Sequence, residues 1–214
     1  RALTTEQVVA LTSVQAGVLS EAQAAALTSA QVAVLEVADL AALGTAQVSA
    51  LTTLSISALN SSQLQALTSL QVGALTTRQV GALTSVQLSA LETTDVQALK
   101  SVQTGVLTSV QVAGLTTDQV PVLGTAQVAA LSVTALQALG TDQVGALTTG
   151  QVSVLTTGQV SGLTTVQVAS LSTAQVGALT TVQVGALTTK QVAALETGDV
   201  AVLTTRQVGV LSSS

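Results

Sequence analysis

The chain has 214 residues, 48% of them hydrophobic, yet it contains no Phe, Tyr, Trp, Met, Cys or His. Ten acidic and five basic side chains give a net charge of -5. Without thiols or imidazoles there is no disulfide, no thiolate nucleophile and no ordinary zinc or haem ligand set, and the usual general acid-base group near neutral pH is missing. Without aromatics there is no stacking platform for bases or sugars, and five scattered cations make no phosphate-binding stripe. These exclusions predict a protein that is not an enzyme, with no cofactor, no nucleic-acid partner and no small-molecule substrate.

Disorder and membrane insertion also fit poorly. Disordered chains combine low hydrophobicity with high net charge, and this chain has neither. Apolar runs such as Val8-Val9-Ala10-Leu11 end after a few residues, far short of the roughly 18 that a membrane helix requires. The start at Arg1 and the end at Ser212-Ser213-Ser214 lead us to expect an interior segment of a longer chain.

Leucine occupies position 3 and every eighth position after it up to Leu211, 27 leucines without an insertion. With Leu as position one, the unit reads Leu, Thr/Ser, Thr/Ser, any, Gln, Val, small, Ala. Over 26 complete units, position two is Thr or Ser in 18, position three in 23, position five is Gln in 21 and position six is apolar in 25. Internal repetition of this strictness marks an array. With no shift in composition along it, residues 1–214 are expected to form one continuous array.

One long helix is excluded by geometry. At about 100° per residue, eight residues leave the leucine stripe drifting by about 80° per repeat, and no supercoil corrects a period of eight. The reading adopted is an all-α solenoid of very short capped helices, one per octapeptide. Thr/Ser at position two and Gln at position five have capping-box spacing, with Leu and Val placed as the flanking hydrophobic staple. A β-solenoid remains the alternative, because Val and Thr suit strands. Against it, Leu breaks strand alternation, and no fixed Gly, Asn or Asp marks a turn.

In chain order, the predicted helices carry these variations. Glu36 with Asp39 is the first unit in which Thr-x-x-Gln becomes Glu-x-x-Asp, and Glu92 with Asp95 and Glu196 with Asp199 repeat it. The paired change says that positions two and five touch, and acids suit a first helical turn. Two carboxylates fall short of the six or more oxygens of a calcium site, so no metal site is assigned. Gly44, Gly124 and Gly140 replace the cap hydroxyl, which glycine tolerates. Leu75 to Ala82 shows the whole motif. Thr104 puts a hydroxyl in the apolar column. Pro121 predicts a kink or a lost bond.

Position four is apolar at Leu54, Leu70, Val86 and Val102 and polar between them, which suggests a layer of two units, or 16 residues. Caps and Gln, rather than ions, are expected to keep the polar face wet.

Runs of Leu-Thr-x-x-Gln-Val-x-Ala, with occasional Leu-Glu-x-x-Asp-Val units, resemble octapeptide arrays in very large bacterial proteins of surface or secreted type. The resemblance spans the whole chain and carries no catalytic residues. It implies an extracellular or cell-surface location and a structural role as filament, stalk or spacer, with self-association. The alternative is a binding module whose Thr ladder engages ice or an adhesin target, and its precondition is a flat β face. No catalytic, cofactor-binding or metal-ligating residue is assigned.

Overall fold

The computed structural model describes residues 3–211. Its described residues form 25 helices of four to seven residues and no strand, so the helical reading holds and the β-solenoid is overturned. Each octapeptide supplies one helix that starts at position three and in most units ends at position seven or eight; Ser101–Thr104 and Thr189–Val192 stop at position six, and Thr205–Leu211 runs on to the next leucine. The exception is the unit of Pro121, where residues 117–122 are a run of turns. Proline has no N–H for the bond to the carbonyl of Thr117, which a unit this short cannot lose and stay helical.

The β-alternative failed because propensity is a weaker signal than local hydrogen bonding. Where Thr76 caps helix Thr77–Ala82, its hydroxyl accepts from the Gln79 amide at 3.2 Å, and the Gln79 carboxamide oxygen accepts from the Thr76 amide at 2.7 Å. Val and Thr are thereby spent on one and a half helical turns. Turn residues were never needed. Leu75 (φ -53°, ψ 139°) and Thr76 (φ -71°, ψ 157°) are two extended residues that reverse the chain between helices. No residue among those described has a positive φ.

Helices this short do not persist alone, because nucleation is unfavourable and only a bond or two follows. Packing sustains them, and its period is three octapeptides. Helix Thr53–Ser57 packs on Thr77–Ala82, Ser61–Gln65 on Ser85–Ala90, and Ser69–Ala74 on Thr93–Ala98, each pair 24 residues apart. In the second half, Ser109–Ala113 packs on Val133–Gln137 and Thr181–Gly185 on Thr205–Leu211 in the same way. A turn of the solenoid therefore holds 24 residues, and the expected 16-residue layer is corrected. The alternation that suggested it lies at position four, where Leu54, Leu70, Val86 and Val102 are 64–79% exposed. An exposed column carries no packing information.

The chain divides into two compact units, Arg1–Val106 and Leu107–Ser214. Each has the same interior. Position six is sealed except in the last three units, with Val48, Val72, Val80, Val152 and Val176 all at 0% exposure, and the leucines beside them are nearly so. Burial of each such side chain stabilises by about 1.5–3 kcal/mol. Small residues at position seven let successive turns approach. A Cβ on Gly73 would lie 2.9 Å from the carbonyl oxygen of Ala98, one turn on. At the equivalent place Ser57 donates its hydroxyl to the Ala82 carbonyl at 2.8 Å.

Candidate functional site

The array's most distinctive chemistry is its glutamine column. The capping box accounts for the carboxamide oxygen alone. The nitrogen reaches the preceding turn: Gln79 Nε2 donates to the carbonyls of Val48 at 2.9 Å and Leu51 at 2.8 Å, with Ser49 at 3.3 Å. Gln63 does the same to Val32 and Leu35, and Gln71 to Leu40 and Leu43. In the second unit, Gln159 binds Val128 and Leu131, Gln175 binds Val144 and Leu147, and Gln191 binds Val160 and Leu163. In these six glutamines the two nearest partners lie 31 and 28 residues back. One side chain thus caps the N-terminus of its own helix and the C-terminus of a helix in the preceding turn.

These glutamines are buried, with Gln79 at 1% exposure and Gln63, Gln71 and Gln159 at 2%. The expectation that Gln keeps the polar face wet is therefore corrected. Buried polar groups must be hydrogen-bonded, and here the carboxamide satisfies backbone groups at two helix ends. Gln7, Gln15 and Gln23, in the first three units given, are exposed.

Departures from the consensus show what the column requires. Ser55 keeps part of the pattern, donating its hydroxyl to the Leu27 carbonyl, again 28 residues back, at 3.2 Å. Ala135 keeps none of it. At Gly140 the cap hydroxyl is gone, but its amide still donates to Gln143 Oε1 at 2.7 Å. Thr104 is 1% exposed, and its hydroxyl donates to the Ser101 carbonyl at 3.0 Å, which satisfies it within the apolar column.

The three Glu-x-x-Asp units put a carboxylate where the carboxamide belongs. Asp39, Asp95 and Asp199 are 1%, 3% and 3% exposed. Asp199 Oδ2 accepts from the Glu196 amide at 3.2 Å, so positions two and five do touch. Ser13 donates its hydroxyl to Asp39 Oδ1 at 2.9 Å, and Ser69 donates to Asp95 Oδ1 at 2.8 Å, both 26 residues back. Burial pushes the Asp95 carboxyl above its usual range; the Ser69 hydroxyl opposes this and the nearby Glu92 carboxylate adds to it. Asp39 Oδ2 is buried without a hydrogen-bond partner. The exposed Glu6 carboxyl is instead drawn below its usual range, by its own backbone amide and then by the Thr4 hydroxyl.

The sequence holds one signal for the buried seam. A capping box takes Glu or Gln at its third helical position. Position five here is Gln in 21 of 26 units, which fits a side chain that must donate to the turn behind as well as accept the cap amide, and an acid stands there only as Asp39, Asp95 and Asp199.

Among the described residues there is no group of three or more Asp, Glu, His or Cys side chains, and no helix long and apolar enough to cross a membrane. A shallow groove in the first unit is lined by Thr45, Ser69, Leu70, Ala98 and Lys100.

No curated protein matches the chain. A family model described as the ALTTAQ repeat matches five times, at residues 32–69, 56–85, 88–125, 120–157 and 155–189. Its hexapeptide is legible in Ala74-Leu75-Thr76-Thr77-Arg78-Gln79, the segment that carries the leucine, the cap and the seam glutamine. With most of its length matched and its cap and seam repeated throughout, the chain belongs to the ALTTAQ repeat family.

Proposed function

We propose that the chain is a structural segment of an extended extracellular or cell-surface protein, a filament, stalk or spacer that elongates by stacking turns and self-associates through its ends. The observation that supports this most is the seam. Every turn offers acceptors to a turn after it and donors to a turn before it, so the same contact adds length without limit. Copies that meet through these complementary faces would use the register already seen within the chain, as at Gln79 with Val48 and Leu51.

The ladder reading loses support. Its flat β face does not form, and Thr hydroxyls at position two, such as those of Thr76, Thr156 and Thr180, are engaged as helix caps. The absence of catalysis belongs to the same proposal.

Electron microscopy and sedimentation velocity over a range of concentrations test the reading. Linear assemblies that grow with concentration are expected. Short, dispersed monomers at every concentration would overturn it.

A further inference from the structure

We propose that the Glu-x-x-Asp units are cation sites, in which a divalent ion of the calcium class is held between a buried carboxylate and backbone carbonyls of the preceding turn. The case is fullest at Glu36–Asp39. Asp39 is 1% exposed, and its Oδ2 has no hydrogen-bond partner, whereas Oδ1 is held by the Ser13 hydroxyl of the turn behind.

The seam register supplies the rest. Gln31 donates to the carbonyl of Leu3 and Gln47 to that of Leu19, each 28 residues back. Asp39 stands between these two glutamines in sequence, and the same step leads from it to Leu11. The step of 31 seen at Gln63 leads to Val8. In the Gln units an N–H lies between side chain and carbonyls. By that register, in the Asp unit a carboxylate, which has no donor, takes the place of the carboxamide opposite carbonyls of the same kind. Burying a carboxylate without a compensating partner is costly. A cation removes the conflict by taking both sets as ligands.

Two carboxylates on their own are too few for calcium. Asp39, the Ser13 hydroxyl, the Leu11 and Val8 carbonyls that the register assigns and the solvent-facing Glu36 carboxylate would together approach the six to eight oxygens it takes. The two negative charges match a divalent ion, and neutral carbonyl oxygens in an irregular cage favour calcium over magnesium. This also explains why the acids come in pairs: a Glu at position two accompanies every Asp at position five. Asp95 shares the hydroxyl contact, with Ser69, and its carboxyl is also reached by the Glu92 backbone amide. At Asp199 the residue 26 positions back is Thr173, also a hydroxyl.

The test uses the whole chain after treatment with chelator. Thermal unfolding is followed by circular dichroism with calcium, magnesium or sodium added, beside calcium titration calorimetry. The control is the chain with E36T/D39Q, E92T/D95Q and E196T/D199Q, which restores the consensus of the other units. The expected result is a melting temperature that climbs with calcium, more than with magnesium and not with sodium, and a calorimetric signal that the consensus-restored chain lacks. The proposal is overturned by a melting temperature indifferent to calcium. It is also overturned by an equal shift in the restored chain, or by stabilisation through acid alone with no calcium response, which would assign the neutralising role to a proton.

Discussion

Replacing Gln79 by Leu tests the seam without changing the apolar core or the side-chain volume greatly. The wild-type side chain makes one acceptor contact, from the Thr76 amide at 2.7 Å, and its two best donor contacts, to Val48 at 2.9 Å and Leu51 at 2.8 Å. Val48 retains a partner, since its carbonyl also accepts from the Leu51 amide at 3.2 Å. The groups orphaned are the Leu51 carbonyl, which is buried, and the Thr76 amide, which is partly hydrated. At about 1–3 kcal/mol per unsatisfied buried group, discounted for the hydrated one, Q79L costs about 2–4 kcal/mol. Thr76→Ala removes only the 3.2 Å cap to the Gln79 amide and costs about 1 kcal/mol. Because long arrays unfold in parts, native-state hydrogen exchange is the suitable assay. Protection should fall in helices Thr45–Ala50 and Thr77–Ala82 together, two segments joined by this side chain. Equal effects of the two substitutions, or loss confined to Thr77–Ala82, would refute the bridging role.

Three further outcomes are expected. Gly73→Ala should destabilise, since its Cβ meets the Ala98 carbonyl oxygen at 2.9 Å, whereas Gly81→Ala meets nothing within 4 Å and should stabilise by about 0.5–1 kcal/mol; paired thermal melts check the opposite signs. Pro121→Ala should convert the turns at 117–122 into a helix, read as a gain in helical circular dichroism. In chelator-treated protein, the raised Asp95 pKa means that the folded state holds its proton to higher pH than the unfolded state. Stability should therefore rise as pH falls from neutrality through the folded pKa, and level off below the unfolded pKa of about 3.9. E92T/D95Q should remove that part of the slope in pH-dependent denaturant titrations.

Much of the local structure is legible in the sequence. Thr76 and Gln79 three residues apart, with Leu75 and Val80 outside them, specify a capped helix, and the structure has it. Pro121 foretells the one described unit without a helix. The number of units per turn is not legible, because every unit carries the same Leu and Val. Nothing in a uniform core distinguishes the partner 16 residues away from that 24 away. The one column that varies, position four, is exposed. The seam is half legible: spacing shows the carboxamide oxygen's role as a cap, while the nitrogen's partners lie 28 and 31 residues away and belong to no local motif. Only the predominance of Gln over acids in that column hints at a donor.

The account rests on the 24-residue turn, and spin-label distances test it most directly. The chain has no cysteine, so pairs introduced at exposed position-four sites label cleanly. Residues 54 and 78 lie on helices that pack on each other, whereas residues 54 and 70 are one 16-residue step apart. Electron paramagnetic resonance should find the 54–78 pair closer than the 54–70 pair, at a separation set by adjacent helices. The reverse order would contradict the three-octapeptide turn, and with it the seam and the cation sites built on its register.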